Sequence, residues 1–593
     1  MEDFVFGTLA TDEFRTQLVR SGRAGVTHAH ARCPRDPLPG QPITLELTVG
    51  PTHPLANARV EWKVDQDPGN AGKPRSWDTM SMELVDVEWD MLLWGYVRRF
   101  RTVLPGQPEG SILRYKLIAF GSGGQEVSAD NGTEYACYIS DDPPPAWAQD
   151  AVIYQVIVDR YFPGKGNEWK HPASPSGFYG GTLKGVTEKL DYIAELGANV
   201  LWLSPIFPSP SHHGYDATDL FDIEPRLGTK DDLHELLDQA HGRGMRILLD
   251  FVPNHWSWRH LTFRDATNYH HSPYRDWYTF TKWPDKYKTF FGVRELPQIN
   301  LNHPAARQHM LKAARYWLEF GVDGYRVDYA IGPTPGFWAD FRRATRTTRP
   351  DSWTFGEVVE PSNLQRNFEG GLDGCLDFIL LEALRQAFAF GKWEAPRLAN
   401  FLIRHDAYFP QTFSRPSFLD NHDMNRFLWA AGNNKRRLRL AAFCQFTLSG
   451  PPVIYYGTEV GLSQQRDVRQ NGHGLPEEAR LPMLWGLEQD LKLLSYYRKL
   501  AALRHEFPAL RQPGGLRILH AEGGLLAYER AGLLVCLNLA NHLEVLNLPG
   551  LASRPQLLLE ANGSVTLDSD GADGMQVDLP ALGGAVMSTK TNG

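Results

Sequence analysis

The chain of 593 residues is poor in cysteine, with only Cys33, Cys137, Cys375, Cys444 and Cys536. These cysteines are scattered and form no C-x-x-C pair, which argues against a disulfide framework or a zinc site. The pattern predicts buried free thiols, with a Cys33–Cys137 bridge as the alternative. Positive charge is not in excess either, because the chain has 61 Lys and Arg against 69 Asp and Glu, which gives a net charge of −8. Such a chain lacks the basic footprint of a nucleic-acid-binding protein.

Long apolar runs are also missing. No run of roughly 18 or more apolar residues occurs, which predicts that no segment spans a membrane. The first residues, MEDFVFGTLATDEF, have no basic segment followed by an apolar one, which predicts no secretory signal and, by default, a cytoplasmic location. The hydrophobic share of 42% is typical of a globular protein.

Short strands of alternating polarity fill the N-terminal part of the chain. Examples are ITLELTV (43–49), ARVEWKV (58–64) and RYKLIAF (114–120), with Gly, Pro and Asn between them. This pattern predicts a β-sandwich over residues 1–143. Three consecutive prolines within DDPPPAWAQD (141–150) form a stiff linker and mark the boundary.

Strands and helices alternate over residues 144–512. The predicted strands are AVIYQVIV (151–158), ANVLWLSPI (198–206), MRILLDFV (245–252), VDGYRVD (322–328), SWTFGEV (352–358), DGCLDFIL (373–380), RPSFLDNH (415–422) and PPVIYYG (451–457). Eight βα units favour an α/β fold of the (β/α)₈ TIM-barrel class. An open doubly wound sheet is the alternative, but no glycine-rich phosphate loop follows the first strand.

Two further regions complete the predicted architecture. Residues 255–300, after the third strand, are too long for a simple loop and are rich in Tyr, Trp and His, which predicts a small insertion that faces the substrate. Residues 513–593 return to short strands and turns, which predicts a C-terminal antiparallel β-domain.

Acidic residues stand where barrel strands end, which is where chemistry is done in this fold. They are Asp250, Asp328, Glu357 and Asp423. One alone would as readily cap a helix or form a surface ion pair, but four at equivalent strand ends predict a converging site. Without a Cys/His metal set, converging carboxylates favour glycoside hydrolysis, which needs one protonated carboxyl and one ionised carboxylate.

Neighbouring residues suggest how the roles divide. Arg326 lies two residues before Asp328 on the same strand face, so its charge should lower the pKa of Asp328 and keep this nucleophile ionised. Glu357 follows the apolar WTFG, and a dry environment favours the protonated carboxyl that a general acid needs. His255 and His422 each lie near a strand-end Asp and are expected to donate hydrogen bonds to sugar hydroxyls.

These residues resemble the motifs of the α-amylase family (glycoside hydrolase family 13), whose members are retaining enzymes. The matching segments, in order, are HGYDATD (213–219), DFVPNH (250–255), GYRVD (324–328), GE (356–357), FLDNHD (418–423), GPPVIYYGTEVGL (450–462) and RLPMLWG (480–486). The resemblance covers about residues 150–593 and is specific, because separate motifs occur in the family's order.

The resemblance implies a role for each side chain. Asp328 would be the nucleophile, Glu357 the general acid/base and Asp423 the transition-state stabiliser, with the two catalytic carboxyls roughly 5–5.5 Å apart. Tyr215 would lie under the sugar at the cleaved bond. The substrate-binding set would be Tyr215, Asp250, His255, Arg326 and His422.

A β-sandwich before the barrel is similar to the cyclomaltodextrinase, neopullulanase and maltogenic amylase branch. In that branch the N-terminal domain often pairs subunits, so the resemblance implies a starch-binding-like domain and a homodimer through residues 1–143. Two positions depart from the pattern. Ile331 and Gly332 stand where relatives carry Lys-His or Asn-Glu, the polar pairs that hold sugars beyond the cleaved bond.

Two more positions bear on calcium and on linkage. Asn254 matches one position of the family's calcium site, but the missing Lys-His pair removes another. The resemblance therefore implies no required cofactor and leaves a structural calcium in doubt; no metal ligand is assigned. Gln298 replaces the Lys or Asp that separates neopullulanase-like enzymes from α-1,6-glucosidases, so this motif does not decide the linkage.

The leading hypothesis is a hydrolase of α-1,4 bonds in cyclomaltodextrins, pullulan or short malto-oligosaccharides, with cleavage of α-1,6 bonds left open. The alternative within the family is an α-glucosidase or a transglycosylating enzyme. A non-catalytic carbohydrate-binding protein is the third hypothesis. The complete set of buried charges argues against it, because unused charges are costly to desolvate.

Overall fold

The computed structural model describes residues 12–65, 76–470, 473–474, 476–530, 532–549, 555–569 and 574–588. Helix α1 (Asp12–Ala24) precedes a group of nine strands. These strands are β1 (Val26–Thr27), β2 (Arg32–Cys33), β3 (Ile43–Val49), β4 (Asn57–Asp65), β5 (Asp78–Asp90), β6 (Gly95–Leu104), β7 (Ile112–Phe120), β8 (Glu126–Ser128) and β9 (Tyr135–Tyr138).

The N-terminal strands form one antiparallel sheet in the order β1-β3-β6-β5-β4-β7-β8, with β2 on β3 and β9 on β7. Alternate side chains of β3 are buried, as expected for a strand with one face on a core. The antiparallel N-terminal domain is confirmed. Its two halves are continuous, because β5 pairs with both β4 and β6.

The middle of the chain alternates between strands and helices. Its strands are β10 (Ile153–Val156), β11 (Val200–Leu203), β12 (Arg246–Phe251), β13 (Phe280–Lys282), β14 (Lys286–Tyr287), β15 (Gly324–Val327), β16 (Trp353–Gly356), β17 (Gly374–Cys375), β18 (Val453–Tyr455), β19 (Arg469–Gln470) and β20 (His473–Gly474). Seven of them form a parallel sheet in the order β17-β16-β15-β12-β11-β10-β18, which is the wall of the predicted TIM barrel.

Helices surround this wall. They are α2 (Val158–Tyr161), α3 (Leu183–Glu188), α4 (Leu190–Glu195), α5 (Lys230–Gly242), α6 (Leu261–Asn268), α7 (Pro304–Phe320), α8 (Pro335–Thr348), α9 (Ser362–Gln365), α10 (Phe378–Leu384), α11 (Ala395–Tyr408), α12 (Phe427–Ala430), α13 (Lys435–Thr447) and α14 (Leu491–Glu506). A π-helical turn, Arg385–Ala389, continues α10. Helix α5 is capped by Thr229, whose side chain accepts a hydrogen bond from Asp232 N.

The predicted strand 415–422 is wrong as a regular strand. The wall closes instead through two isolated parallel bridges, Gly374 with Ser414 and Ser417 with Pro452. Pro416 lies between these bridges and has no amide proton to donate, so the ladder is interrupted there. The predicted strand 373–380 is also too long. It ends at Cys375, and the Asp377 side chain then caps α10.

The insertion and the C-terminal domain form as predicted. The insertion contains α6 and the β13–β14 hairpin, and its end returns to the barrel through a bridge between His255 and Gln298. The C-terminal strands are β21 (Leu516–Glu522), β22 (Leu525–Arg530), β23 (Leu533–Asn538), β24 (Glu544–Pro549), β25 (Gln556–Ala561), β26 (Thr566–Ser569), β27 (Gly574–Leu579) and β28 (Gly584–Ser588). They form two antiparallel sheets of five and three strands.

The N-terminal sheet packs on helix α8 of the barrel through buried charges. Arg114 of β7 donates two hydrogen bonds to Asp340, at 2.8 and 2.9 Å. Arg342 of α8 in turn donates a hydrogen bond to Asp36 of the N-terminal domain, at 2.7 Å. Because all of these except Asp36 are nearly fully buried, the ion pairs fix the orientation of the sheet on the barrel.

Two further sequence predictions concern the cysteines and membrane-spanning segments. All five cysteines are free thiols, and four are buried while Cys33 is exposed. Within the described ranges, no helix has both the length and the apolar character needed to cross a membrane.

Candidate active site

The predicted carboxylates do come together at the carboxyl ends of the barrel strands. Asp250 lies in β12 opposite Arg326 of β15, and Asp328 and Glu357 directly follow β15 and β16. Their amides extend the strand ladder, since Asp328 N donates to Phe251 O and Glu357 N to Val327 O, both at 2.8 Å. The backbone of both residues is therefore held by the barrel wall.

A glycine brings these two strands together. Gly324 has a φ of 150°, and a Cβ added there would lie 1.9 Å from Trp353 O in the neighbouring β16. Only glycine permits this approach. This close contact lies at the start of β15 and β16. Asp328 and Glu357 follow the other ends of the same two strands.

A cavity of about 390 Å³ opens at this end of the barrel. Its lining includes most of the predicted residues: Tyr215, His255, Asp328, Glu357, His422 and Asp423. Asp250 and Arg326 are fully buried and lie behind Asp328. Phe290 and Leu296 of the insertion also line the cavity, as expected for a segment that faces the substrate.

Arg326 contacts three carboxylates of the site. Its Nη1 lies 2.7 Å from Asp250 Oδ1 and 3.1 Å from Asp328 Oδ1, and its Nη2 lies 2.8 Å from Glu357 Oε1. The guanidinium also lies over the Trp202 ring, at 5.2 Å from the centroid, while Trp202 Nε1 donates to Asp250 Oδ2. One cation thus holds three carboxylates in a site with almost no solvent.

Arg326 lowers the pKa of Asp328, as expected, but it does not set the net direction. Burial raises the pKa of Asp328 most, the charge of Glu357 raises it further, and together they outweigh Arg326, so the pKa lies well above its ordinary value. The expectation overlooked that burial disfavours the charged carboxylate. Burial likewise raises the pKa of Asp250 despite its contact with Arg326.

Asp423 has the opposite electrostatic environment. Its Oδ2 lies 2.8 Å from His422 Nε2 and its Oδ1 accepts a hydrogen bond from Arg480 at 2.9 Å. Burial alone would raise the pKa of Asp423, but His422 and Arg480 outweigh burial and lower it. Asp423 therefore remains a carboxylate at the rim of the cavity.

His422 is fixed in orientation by its neighbours. Gln155 Nε2 lies 3.0 Å from His422 Nδ1, so Nδ1 accepts and Nε2 carries the proton. Tyr215 stacks on this ring at 5.2 Å, and its hydroxyl lies 2.8 Å from both His422 Nε2 and Asp250 Oδ2. Tyr215, His422 and Asp250 thus form one hydrogen-bonded wall of the cavity.

His255 contributes a neutral ring to the cavity. Burial lowers its pKa to about 3, against a smaller opposing effect of the Tyr215 carbonyl. The ring stacks on Phe290 with centroids 4.4 Å apart, and its Nδ1 lies 3.1 Å from Asn254 Nδ2. His255 therefore acts as a polar group without charge at neutral pH.

Sequence reasoning missed two residues of the site, Gln155 and Arg480. Gln155 is the one polar side chain in the apolar strand AVIYQVIV, a signal that was present in the sequence. Arg480 belongs to the RLPMLWG motif, but nothing in the sequence shows that it contacts Asp423. Glu477 holds Arg480 in place, with Oε1 at 3.2 Å from its Nη1.

The departure at Gly332 has a steric cause. A Cβ added to Gly332 would lie 2.0 Å from Asn254 Oδ1, so a larger residue cannot enter without moving Asn254. Asn254 Oδ1 in turn accepts a hydrogen bond from Gln298 Nε2 at 2.9 Å. Two departures from the motif pattern, Gly332 and Gln298, thus both lie against Asn254, which matches the pattern.

The same contacts bear on whether Asn254 could be a calcium ligand. The Gln298 amide occupies the oxygen that the cation would need, so the residues around Asn254 do not fit the family's calcium site. Among the residues that the structure describes, no group of three or more His, Cys, Asp or Glu side chains could hold a metal ion.

Paired carboxylates at one end of a (β/α)₈ barrel, with a third carboxylate opposite, define a glycoside hydrolase. Residues 155–489, more than half of the chain, match the sequence family described as "Alpha amylase, catalytic domain". The chain belongs to the α-amylase family and is an α-glucan glycosidase.

Individual relatives support this assignment. Alpha-amylase 2 of Dictyoglomus thermophilum is 33% identical over 554 residues, which cover 93% of this chain and 94% of that protein. Neopullulanase 2 of Thermoactinomyces vulgaris is 34% identical over 411 residues, or 65% of this chain and 68% of that one. A solved cyclomaltodextrinase structure superposes with a TM-score of 0.68 at 26% identity and covers 95% of this chain and 99% of that structure.

The opposite pKa shifts of two carboxylates give a prediction. Asp328→Asn should raise the melting temperature at pH 7, because the native state disfavours the Asp328 charge, whereas Asp423→Asn should lower it. The gain in Asp328→Asn should begin to shrink as the pH falls below the raised native pKa of Asp328, and it should vanish below the unfolded pKa, where both states are protonated. The loss in Asp423→Asn should shrink as the pH falls from the unfolded pKa toward the lowered native pKa.

Thermal unfolding of both variants and the wild type between about pH 8 and pH 3, a range that extends below the unfolded Asp pKa of about 3.9, measures these differences. Each variant is the isosteric control of the other, since both replace a carboxylate in the same cavity by an amide. Shifts of the same sign at pH 7 would contradict the electrostatic assignment.

Proposed function

We propose that the enzyme hydrolyses α-1,4 and α-1,6 glucosidic bonds with retention of configuration, by a double displacement. The observation that carries this proposal is the shared contact of Asp328 and Glu357 with one guanidinium, that of Arg326. Two carboxyls on one planar group favour the short separation of retaining enzymes, about 5–5.5 Å, over the roughly 6.5–9.5 Å of inverting ones.

In the proposed first step, Asp328 attacks the anomeric carbon while Glu357 protonates the leaving oxygen. Because Asp328 and Glu357 repel each other in a buried site, the pair holds a proton more readily than two isolated carboxyls. That proton belongs on Glu357 when substrate is bound, since the leaving oxygen lies there. Asp328 Oδ1 keeps its contact with Arg326 Nη1 and stays the nucleophile.

In the second step, Glu357 removes a proton from water, which attacks the glycosyl–Asp328 ester and releases the α-sugar. The Tyr329 N–H lies 3.2 Å from Glu357 Oε2 and holds the carboxyl in place. Tyr329 has a φ of 40°, a strained value for a residue with a side chain, and this geometry points its amide at Glu357.

The other predicted residues would hold the sugar at the cleaved bond. Tyr215 offers an aromatic face, His422 a fixed N–H, and Asp423 an ionised carboxylate for the sugar hydroxyls and the positive charge of the transition state. Arg480 would hold Asp423 in its ionised form. These roles rest on the contacts above and on the family motifs.

The catalytic roles are tested by Asp328→Asn and Glu357→Gln. Both should fold and should lose at least about a thousandfold in kcat, because each removes a group that takes part in bond making or breaking. Proton NMR of the first product formed by the wild type should show the α-anomer. A variant that keeps most of its rate, or a β-anomer as the first product, would contradict the assignment.

For the substrate, we infer cyclomaltodextrins, pullulan or short malto-oligosaccharides. A cavity of about 390 Å³, partly closed by Phe290 and Leu296, favours a short or bent chain. The relative named neopullulanase and the solved cyclomaltodextrinase support this inference. The relative that aligns over 93% of this chain is named an alpha-amylase, which keeps starch as the rival substrate. An α-glucosidase or a transglycosylating enzyme remains the family alternative.

A side-by-side assay of cyclomaltodextrins, pullulan, starch, maltotriose and panose tests the substrate class. We expect cyclomaltodextrins to be hydrolysed at least about tenfold faster than starch at equal glucose concentration. Product chromatography separates the alternatives, because glucose as the sole product indicates an α-glucosidase and longer products indicate transglycosylation. Faster hydrolysis of starch would refute the preferred class.

We further propose a homodimer through the N-terminal sheet and a cytoplasmic location, which suits a chain with five free thiols. The hairpin of β5 and β6 carries exposed apolar side chains, including Trp94 and Tyr96, which are 73% and 65% exposed. Trp89 contacts both rings, with centroids 5.6 and 5.0 Å away. Such a contiguous patch is typical of an interaction surface, and the family branch suggests a second copy as its partner.

The double variant Trp94→Ser/Tyr96→Ser should convert the dimer to a monomer in multi-angle light scattering at micromolar concentration. Tyr269→Ser, which changes a 64% exposed tyrosine in the insertion, is the control and should leave the mass unchanged. A wild-type mass of one chain, or a dimer that survives the double substitution, would contradict this interface.

A further inference from the structure

A second cavity, of about 470 Å³, lies at the end of the barrel opposite the catalytic site. Its wall includes residues of segments 143–149 and 449–451, which lead into β10 and β18 and so lie at the amino ends of these strands. Residues 411–415 and 511–513 complete the wall. We call it the basal cavity. Because the catalytic carboxylates follow the carboxyl ends of the strands, the basal cavity is separate from the site of glucan cleavage.

The described wall of the basal cavity carries positive charge and no negative charge. Its charged side chains are those of Arg415 and Arg511. Arg511 Nη1 lies 2.7 Å from Asp150 Oδ1, while its Nε is buried without a hydrogen-bond partner in the described part of the chain. The other polar side chains of the wall are neutral: Gln149, Gln411, Thr412, Ser414, Ser449 and Gln512. Such a wall favours an anionic ligand.

A third guanidinium, that of Arg504, lies directly behind this wall. Its Nη2 donates to Ser449 O at 2.8 Å and to Gly450 O at 3.0 Å, and both of these residues line the basal cavity. Arg504 is 0% exposed, and within the described ranges its hydrogen-bond partners are all backbone carbonyls, with none for its Nε. Carbonyls satisfy the N–H groups of Arg504 but do not balance its charge.

A fourth guanidinium, that of Arg530, lies beside the basal cavity. It lines a small cavity of about 30 Å³, which shares Arg415, Ser449 and Gly450 with the basal cavity. Arg530 is 2% exposed, its Nη2 donates to two backbone carbonyls, and its Nε has no partner among the described residues. The basal cavity is therefore bordered by two arginines that are almost completely buried, Arg504 and Arg530.

Carboxylates do not balance this cluster of arginines. Asp377 and Asp406 lie 3.9 and 3.5 Å from the Arg415 guanidinium, and Asp150 pairs with Arg511. In the part of the chain that the structure describes, the two buried arginines form no ion pair. Four guanidinium groups thus face three carboxylates, and the excess charge lies in the interior, where salt screens it little.

The pKa of Arg504 shows that this environment disfavours its charge. Burial lowers that pKa most, and the charges of Arg530 and Arg511 lower it further, to about 9. Burial also lowers the pKa of Arg530, against the opposing charge of Asp406. Arginine ordinarily stays protonated far above this range, so a bound anion would stabilise the cluster.

We propose that the basal cavity binds a phosphorylated sugar, with Arg511 as the direct contact of the phosphate and with Arg415 and Arg504 as further positive charge around it. A planar guanidinium can donate two parallel hydrogen bonds to a phosphate, and Arg511 has a donor left for such contacts. The volume of about 470 Å³ exceeds that of a phosphate alone, and the glutamines of the wall can contact sugar hydroxyls. The ligand would join the linker, the barrel and the chain that leads to the C-terminal domain. This inference is independent of the proposed function.

Isothermal titration of the full chain with glucose 6-phosphate and with inorganic phosphate, at constant ionic strength, tests the inference. Glucose 6-phosphate should bind at least about threefold more tightly than inorganic phosphate, because its hydroxyls add contacts. Arg511→Gln should weaken the binding of both compounds at least about tenfold, since it removes the charged contact. Gln411→Glu, at an exposed position, should have the same effect by placing a carboxylate in the wall while Arg511 stays in place.

Arg498→Gln is the matched control, because Arg498 lies on α14 with Arg504 and pairs with a carboxylate, that of Glu195, at 2.8 Å. It should leave both affinities within about twofold of the wild type. Glucose reports sugar binding without phosphate, and its titration should be the same in all of these proteins. A wild type that binds neither phosphate compound, or affinities that stay unchanged in Arg511→Gln and Gln411→Glu, would overturn the inference. Equal affinities for the two compounds would contradict the contacts proposed for the sugar.

Discussion

The burial of Arg326 is the constraint on which the site depends. A guanidinium with no solvent contact needs acceptors for its N–H groups and partners for its charge, and the barrel supplies three carboxylates from three neighbouring strands. Together the carboxylates offset the cost of burying the Arg326 charge, while Asp328 and Glu357 are also placed for chemistry. The arrangement also explains why Asp250, which does not line the cavity, belongs to the catalytic unit.

Much of this architecture could be predicted from the sequence, because the determinants are local. Strand ends, the residues that follow them and the order of the motifs place Asp328, Glu357 and Asp423 at one end of the barrel. The pKa of Asp328 could not be predicted in this way. Its direction depends first on burial and then on the charge of Glu357, which together outweigh Arg326, and both are properties of the folded site.

Other features depend on contacts distant in sequence. Arg480 reaches Asp423 across 57 positions, and Gln155 reaches His422 across 267, so neither pairing has a local signal. The segment around Pro416 has the apolar pattern of a strand, yet its missing amide proton breaks the ladder. Gly332 looks like a loss of function in the sequence, whereas its contact with Asn254 shows a packing requirement.

The interrupted wall near Pro416 has a consequence for how the enzyme can vary. The segment that leads to His422 and Asp423 joins the sheet through isolated bridges, and Gln155 and Arg480 fix those two side chains from other parts of the chain. This side of the barrel is thus held by separate contacts, whereas the side that carries Asp328 and Glu357 is a continuous strand ladder. Substitutions in these separate contacts can change how a sugar ring is bound without disturbing the two carboxyls that break the bond.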